Sequence, residues 1–531
     1  MDLMIREAIR KKVKEAVEFL QNERIFPDFE LSEIEVGRPQ KPEHGDYSVN
    51  TAMIVAKETG KDPFETAEVL SAKIDREGPY FSKIECVRPG FINFFLKNEY
   101  LQNQLGEIIR AGEDYGSLKE REKVNVEFIS GNPTGPLHIG NGRNAFAGDV
   151  LANVLEKSGR EVVREYFIND ATSSLQIASI KDTVSQIGSE EAKANLPYYT
   201  PYLEEKVRKM GIQSGTEQII ASIQEDNRKF ITEKLKIKFD SWVSEKKDIY
   251  GKGKTEELLN QLKEKGLVYE KEGALWLKTS LFGSEKDWVI VRKNGEGTYL
   301  LGDIAYHKDK FDRGFQKVID IWGADHQAHV SKMKAAAEIL GYKGNFEILI
   351  LQLVTLKGKE KLSKRSGNII TLEELVDEIG LDAARWFYLQ KSLDTHMEID
   401  IGLAKEQSER NPVYYVQYAH ARICSILRKA EAKDFSASAS SLLNHPSELR
   451  LLREIAAFPE VVEDTAKDYQ MQRLAKYALS LAGTFHQFYG DCQVISENEE
   501  LTKARLSLAA AAKIALRNSL SLMGISAPEK M

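Results

Sequence analysis

The sequence predicts an α/β protein: a parallel β-sheet covered by helices at its centre, a small α+β unit before it and a helical region after it. Three observations predict this. Between Lys123 and about Gln390, runs rich in β-branched and aromatic residues alternate with stretches of helical periodicity, the pattern of strands joined by crossover helices. Residues 1 to about 110 mix helical stretches with strand-like runs, and beyond about Asn411 the pattern is helical to the end. At 531 residues the chain is also too long for one core.

In the first unit, residues 1–115, the run IREAIRKKVKEAVEFL interleaves charge with apolar residues at helical spacing. A loop, GRPQKPEHGDYS, comes next. Helices follow near VNTAMIVAKETG and PFETAEVLSAKI, then strands within KIECVRPGFINFFL. The central domain, 116–410, opens with the strand KVNVEFIS, the Pro/Gly-rich turn PTGPLHIGN and the helix NAFAGDVLANVLEKSG, which stops at Gly159. Further strands are expected at EVVREYFIN, WVIVRK, KVIDIWG and FEILILQLVTL, with a helix at AHVSKMKAAAEILG. The charged, mostly helical stretch from about 175 to 272 reads as an insertion into this domain. Residues 411–531 read as a helical bundle interrupted by the loop KDFSASASS.

Composition excludes several classes. A net charge of −7 is not that of a generically basic nucleic-acid coat, so an RNA partner has to be held by local patches against a repulsive overall field. No apolar run approaches the roughly 20 residues of a membrane span, and a cytoplasmic location without membrane contact is expected. Cys86, Cys424 and Cys492 are odd in number and far apart, which fits neither a disulfide framework nor a structural zinc site.

Two stretches carry chemistry. PTGPLHIGN follows the first strand, where an open parallel sheet binds phosphate at a helix start. His138 supplies a donor that can be cationic, and Gly140 removes a side chain where a nucleotide must come close. LKGKEKLSKRSGNIITLEEL gathers Lys357, Lys359, Lys361, Lys364 and Arg365 into a Gly-flanked loop before a helix capped by Thr371, with Glu374 at the box position. A tight turn explains the first alone, and a solvated charge run the second. Paired in one α/β domain, they read as nucleotide chemistry.

PTGPLHIGN resembles the HIGH signature, and KLSKR the KMSKS signature, of class I aminoacyl-tRNA synthetases. The surrounding SGNPTGPLHIGN, REYFINDA, TYLLGDIAYHKDK, KLSKRSGNIITLEELVDEIGLDAARWF and NPVYYVQYAHARI resemble arginyl-tRNA synthetases, in that family's order. Asn141 stands where the signature has its last His; a neutral amide can donate to phosphate but cannot be charged.

The resemblance implies a doubly wound, Rossmann-like catalytic domain. Its reaction is ATP-dependent attachment of L-arginine to the tRNA for arginine through arginyl-adenylate, with Mg2+ accompanying the nucleotide and no metal held by the protein. His138 and Asn141 would hold phosphate, with Pro133 and Gly140 lining the ATP site, and Lys361, Ser363 and Lys364 would close over the departing pyrophosphate. Glu245 and Asp303 would meet the guanidinium, Tyr299 and Gln327 would flank it, and Ser130 and Asn132 would serve the α-amino end. Tyr418 and Arg422 in the C-terminal bundle, and Tyr47, Phe91 and Asn93 in the N-terminal domain, would contact tRNA. A monomer is expected, as is dependence of arginine activation on bound tRNA. Asp325, His326 and His329 in DHQAH could share a helix turn as metal ligands, but no further ligand cluster accompanies them. A class I synthetase for another amino acid is disfavoured by the two acids, and a non-catalytic RNA-binding relative by the intact KLSKR and His138.

Overall fold

A computed structural model describes residues 5–31, 33–39, 41–74, 78–171, 175–187, 199–211, 215–357, 370–431 and 437–531. The chain forms two compact units: one comprises residues 1–115, 423–457 and 483–515, the other 116–422, 458–482 and 516–531.

The first unit opens with α1 (Ile5–Asn22), whose buried Ile9, Val13, Ala16, Val17 and Leu20 recur at the spacing of one helix face. Strands β1 (Val36–Gly37) and β2 (Tyr47–Val49) precede α2 (Thr51–Thr59) and α3 (Pro63–Lys73); β3 (Phe81–Val87), β4 (Phe91–Leu96) and α4 (Asn98–Ala111) follow. The strands form one antiparallel sheet in the order β1-β2-β4-β3. Asp62 caps α3 by accepting the Phe64 and Glu65 amides, with Pro63 preset for the first helical position. β2 begins inside the stretch expected as a loop; three residues behind Gly45 are too few to show an alternating pattern.

In the second unit, β5 (Lys123–Glu127), α5 (Ile139–Lys157) and β6 (Glu161–Ile168) are followed by α6 (Leu175–Gln186), α7 (Pro201–Met210) and α8 (Thr216–Lys229). Next come β7 (Ser241–Ser244), α9 (Lys254–Glu264), β8 (Val268–Lys271), β9 (Ala274–Leu277) and β10 (Trp288–Val291). α10 (Tyr299–Asp312), β11 (Lys317–Gly323), α11 (Gln327–Ile339), β12 (Phe346–Leu351) and β13 (Val354–Lys357) lead to α12 (Leu372–Ile379), α13 (Leu381–Leu389), β14 (Met397–Asp400) and α14 (Ile401–Ala404).

The main sheet has the order β12-β11-β5-β6-β7, with every neighbouring pair parallel. The first of its strands in the chain thus lies in the middle. The chain winds outward through β6 and β7 on one side and through β11 and β12 on the other, so the winding reverses between β5 and β11. Ligands of open α/β sheets bind at such a reversal, beyond the carboxyl ends of the strands. Helix α5 lies over this point and is buried nearly all round, including Phe146, Val150, Leu151 and Leu155; each such side chain contributes about 1.5–3 kcal/mol by leaving water.

Three expectations are corrected. The segment 175–272 is an insertion only in its first part: α6, α7 and α8 share a small core of Ile180, Leu203, Val207, Ile219 and Ile223, and the chain then rejoins the main sheet as β7. WVIVRK, expected in the parallel sheet, pairs instead with β9 in a three-stranded antiparallel sheet. The end of FEILILQLVTL does not extend β12 but forms β13, paired with β14. Beyond Asn411, helices α15 (Pro412–Lys429), α16 (Pro446–Ala456), α17 (Phe458–Asp468), α18 (Gln472–Asp491) and α19 (Glu499–Leu522) bear out the helical reading, and their residues are divided between the two units.

Candidate active site

β5 delivers Glu127 to the edge of the sheet at the winding reversal, and the chain then turns through Ile129 (φ 65°) and Ser130 (φ 37°). Neither is glycine, and Ile129 is β-branched; such left-handed residues cost on the order of 1–3 kcal/mol each and persist where the surroundings over-determine them. Asn144 of α5 accepts the Ile129 N–H at 2.7 Å while donating to the Ile321 carbonyl at 2.8 Å. Ser130 Oγ donates to Glu127 Oε1 at 2.8 Å and accepts the Phe167 N–H at 3.1 Å, and Asn169 donates to the Ser130 carbonyl at 3.2 Å. The Tyr166 hydroxyl accepts the Gly131 N–H at 3.1 Å.

The signature turn ends in a capping box. His138 Nδ1 accepts the Gly140 N–H at 3.0 Å, and Asn141 Oδ1 accepts the His138 N–H at 3.0 Å. Asn141 therefore does structural work that the sequence did not suggest, its oxygen occupied by the cap and its NH2 still a donor. Gly140 has a second reason to be glycine: a Cβ there would come within 2.7 Å of the His138 ring. Desolvation lowers the pKa of that ring, opposed by the charge of Asp325. With Nδ1 accepting an amide, Nε2 is the ring nitrogen left to donate. Pro133 is buried in the turn.

Lys361, Ser363 and Lys364 lie outside the described residues. Both flanks of their loop are described. β13 ends at Lys357 on one side. On the other, Thr371 forms an antiparallel bridge with His138, where Ile139 N–H donates to the Ile370 carbonyl at 3.3 Å and Leu372 N–H to the Leu137 carbonyl at 2.8 Å. The expected cap of α12 is present: Thr371 and Glu374 make a reciprocal box. The HIGH-like turn is thus joined at the backbone to Thr371, more than 200 residues further along the chain and just after the KLSKR stretch.

Across the cleft, carboxylates converge. Glu245 opens a π-turn directly after β7 and is 6% exposed. Asp303 lies in the second turn of α10 and is bonded through Oδ2 to His329 Nε2 at 2.9 Å. Gly302, next to Asp303, makes room for Tyr250: a Cβ there would lie 2.9 Å from the Tyr250 hydroxyl, with Glu245 Oε1 in ordinary contact at 3.7 Å. Burial, then the nearby Asp303, then Asp170, push the Glu245 carboxyl up to about 7, against the Ala171 amide that favours its ionised form. Asp170, at the end of the REYFINDA strand, accepts Ser244 Oγ at 2.7 Å and the Lys246 N–H at 2.8 Å. Tyr299 and Gln327 start α10 and α11 and are exposed, Tyr299 by 37%; Asn132 is half-buried in the signature turn.

His329 reaches Asp303 and His326 lies 3.5 Å from Asp325, so DHQAH does not gather its three candidate ligands. Among the described residues, Glu127, His307 and Asp320 lie close enough to share an ion, but Lys310 Nζ already occupies the space between two of them, at 2.5 Å from Glu127 and 2.9 Å from Asp320.

In α15, Tyr414 and Tyr418 stack at 6.2 Å, and the Arg422 guanidinium lies 5.4 Å from the Tyr418 ring centre. All three are half-buried, presenting aromatic and cationic surface from one helix face. In the N-terminal sheet, Tyr47 (1% exposed, opposite Phe94) and Asn93 (2%, opposite Ser48) are interior on β2 and β4, so the expectation that they meet RNA is corrected; Phe91, 37% exposed, remains at the surface.

Family models match along the chain: an arginyl-tRNA synthetase N-terminal domain over residues 4–96, a class I tRNA synthetase (R) catalytic domain over 104–400, and a DALR anticodon-binding domain over 416–531. The arginine–tRNA ligase of Bacillus licheniformis is 41% identical over 554 residues, covering 99% of each chain. That of Bacillus subtilis is 40% identical over 555 residues, again covering 99% of each. The solved arginyl-tRNA synthetase of Thermus thermophilus superposes with a TM-score of 0.80 at 24% identity, over 99% of this chain and 100% of that one. Likeness that runs the full length of both partners assigns the whole chain and not one module of it: the protein belongs to the class I arginyl-tRNA synthetases, which join arginine to tRNA.

Proposed function

We propose that the crevice beyond β5, β6, β7 and β11 makes arginyl-adenylate from ATP and arginine and then transfers the arginyl group to tRNA. In the first step an oxygen of the arginine carboxylate attacks the α-phosphorus and pyrophosphate leaves. In the second, a hydroxyl of the terminal ribose attacks the acyl carbon and AMP leaves. Neither needs a covalent bond to the enzyme, so the chain's contribution is placement and stabilisation of phosphate charge. His138 Nε2–H and the Asn141 amide donate to the nucleotide from the start of α5, with Pro133 and Gly140 shaping the turn beneath it. Mg2+ enters with ATP as part of that substrate. Lys361, Ser363 and Lys364 receive the pyrophosphate on the strength of the KLSKR motif, a role supported by the backbone bridge that ties the end of their loop to His138.

The observation that carries the reading is the pair of acids itself: buried Glu245 lies beside Gly302, the residue before Asp303, close enough for the Asp303 charge to raise its pKa. A guanidinium is always charged and presents a planar fork of donors, which two carboxylates can meet. A lysine ammonium cannot satisfy both and leaves buried charge unpaired. Tyr299 and Gln327 flank the side chain, while Ser130 and Asn132 take the α-amino end. On the same reading, residues 116–410 are the catalytic domain, and residues 1–115 and 411–531 hold the tRNA, the latter through Tyr418 and Arg422. The enzyme works as a cytoplasmic monomer; among the described residues no helix is long and apolar enough to cross a membrane. The test is charging of total tRNA with each of the twenty amino acids by the wild type and by Asp303→Asn. Arginine alone should be accepted, and the variant should lose it. Efficient charging with another amino acid, or an unimpaired variant, overturns the assignment.

A further inference from the structure

The two ends of the proposed arginine pocket are joined underneath by a run of hydrogen-bonded side chains that ends on the main chain of Asp303. Ser130 Oγ donates to Glu127 Oε1 at 2.8 Å, and Glu127 Oε2 accepts Lys310 Nζ at 2.5 Å. Lys310 also donates to Asp320 Oδ1 at 2.9 Å; Asp320 Oδ2 meets His307 Nε2 at 2.6 Å; and His307 Nδ1 meets the Asp303 carbonyl at 2.7 Å. Asp303, His307 and Lys310 recur on one face of α10 at the i, i+4, i+7 spacing. Lys310 and Asp320 are completely buried, and Glu127 and His307 nearly so.

Nothing about stability requires this arrangement. Four ionisable groups taken out of water are an expensive way to fill a core, and apolar side chains of similar volume commonly do as well or better. His307 lies between two oxygens, Asp320 Oδ2 and the Asp303 carbonyl, and Asp320 raises its pKa against burial. With Lys310 it faces the carboxyl groups of Glu127 and Asp320. A closed, directional set of this kind has few alternative packings, which suits it to fixing a distance.

We propose that Lys310 is a positioning residue that sets substrate length: by tying the Ser130 turn to α10, it holds the α-amino and guanidinium ends of the pocket at the span of arginine. The inference rests on the pocket described above, in which Ser130 and Asp303 face opposite ends of the amino acid. Lys310 touches no substrate. Its removal should act on fit to arginine and leave the nucleotide site alone, because His138 and Asn141 hold their geometry through the cap of α5.

The experiment compares the wild type with Lys310→Met, using L-arginine, L-homoarginine (one methylene longer) and 2-amino-4-guanidinobutyrate (one shorter) as substrates in tRNA charging. KM for arginine should rise by about tenfold or more and the preference for arginine over both homologues should fall by about tenfold, the scale on which one methylene is discriminated. KM for ATP should stay within about twofold. Because Lys310→Met leaves two buried carboxylates facing each other, Glu127→Gln/Lys310→Met is made alongside; it removes one charge of each sign and should show the same loss of preference. Retained preference in either variant, once melting and circular dichroism show it folded, overturns the inference. Ser130→Ala and Asp303→Asn separate the two levels: if neither raises the arginine KM, the pocket reading fails and takes the inference with it; if both do and the Lys310 variants do not, the pocket stands and the inference falls.

Discussion

His138 accepts the Gly140 amide through Nδ1, at 3.0 Å, and this contact fixes which nitrogen of the ring carries its proton. Nε2–H is the donor left for a phosphate, and desolvation lowers the pKa of the ring, opposed by Asp325. His138→Ala should therefore lower arginine-dependent pyrophosphate exchange into ATP by about 10²–10³-fold, the usual cost of one preorganised donor. Lys364→Ala should act on the same step. Affinity for tRNA, measured by filter binding, should be unchanged in both; normal exchange rates would remove these residues from the phosphate site.

The Glu245 carboxyl, held at about 7 by burial and by Asp303, makes arginine binding pH-dependent. Below that value the free enzyme carries the proton, which the incoming guanidinium must displace. KM for arginine should fall as pH rises from 6 to 8 and then level off. Glu245→Gln should raise KM and flatten this profile. A wild-type KM that does not change across this range would show that the carboxyl does not titrate there.

The same shift has a consequence for folding. A carboxyl whose folded pKa is raised binds its proton more tightly in the native state, so its cost appears as pH rises past about 4.5 and is complete above about 7. Glu245→Gln removes that cost. Its melting temperature relative to wild type should be higher at pH 8 than at pH 4.5, as read by scanning calorimetry without ligands. A constant difference at both pH values would contradict the raised pKa.

Asn141 tests how much of the second signature position is capping. Asn141→His keeps an acceptor for the His138 amide and a donor for phosphate and should stay active. Asn141→Ala leaves the amide unpaired and should cost about 1 kcal/mol in urea unfolding, with a slower exchange reaction. Equal stability of all three proteins would reduce the cap observed between these residues to coincidence.

The periodic elements and both signatures were legible in the sequence because each is local. α5 announces itself by its apolar spacing and its stop at Gly159, and PTGPLHIGN and KLSKR are contiguous. β7 was not legible. Its four residues, flanked by Asp240 and Glu245, show no alternation, and only pairing with β6 makes them a strand. Asp170 and Asn144 were missed as site residues, and His329 was weighed only as a metal ligand, for the same reason. They become significant by meeting Ser244, Ile129 and Asp303 across distances that no spacing rule covers. Lys310 reads in DIAYHKDK as another solvated charge, and three-dimensional context alone makes it a buried one. A sequence signal for Asn144 existed in its place one helical turn after Asn141, on a helix too apolar to leave an amide unpaired.

Arg385 offers a test of the second unit's interior. It donates to Asp149 of α5 at 2.7 Å, to the Met523 carbonyl at 3.1 Å and to the Leu235 carbonyl at 2.9 Å, all buried. Arg385→Met strands Asp149 and should cost about 3–5 kcal/mol in urea unfolding. Adding Asp149→Leu should recover much of the loss, and a double variant as unstable as the sum of the singles would show that the pair was not the source.

The resemblance to arginyl-tRNA synthetases further implies that arginine-dependent exchange appears only when tRNA is present. Exchange run with tRNA blocked at its 3′ end should be as fast as with native tRNA, since the RNA acts there as effector and not as acceptor. Robust exchange without any tRNA would sever that dependence.

The bridge between His138 and Thr371 means that the HIGH-like turn shares a seam of main chain with the start of α12, which has a genetic consequence. Thr371 belongs to neither motif, yet it caps α12 at the point where its backbone meets His138. Substitutions at 138 and 371 should display epistasis, the double variant departing from the product of the single effects on exchange rate, as residues in one hydrogen-bonded unit do. A screen for second-site suppressors of a weakened HIGH motif would then return hits at the foot of α12, more than 200 residues away in sequence and one hydrogen bond away in space.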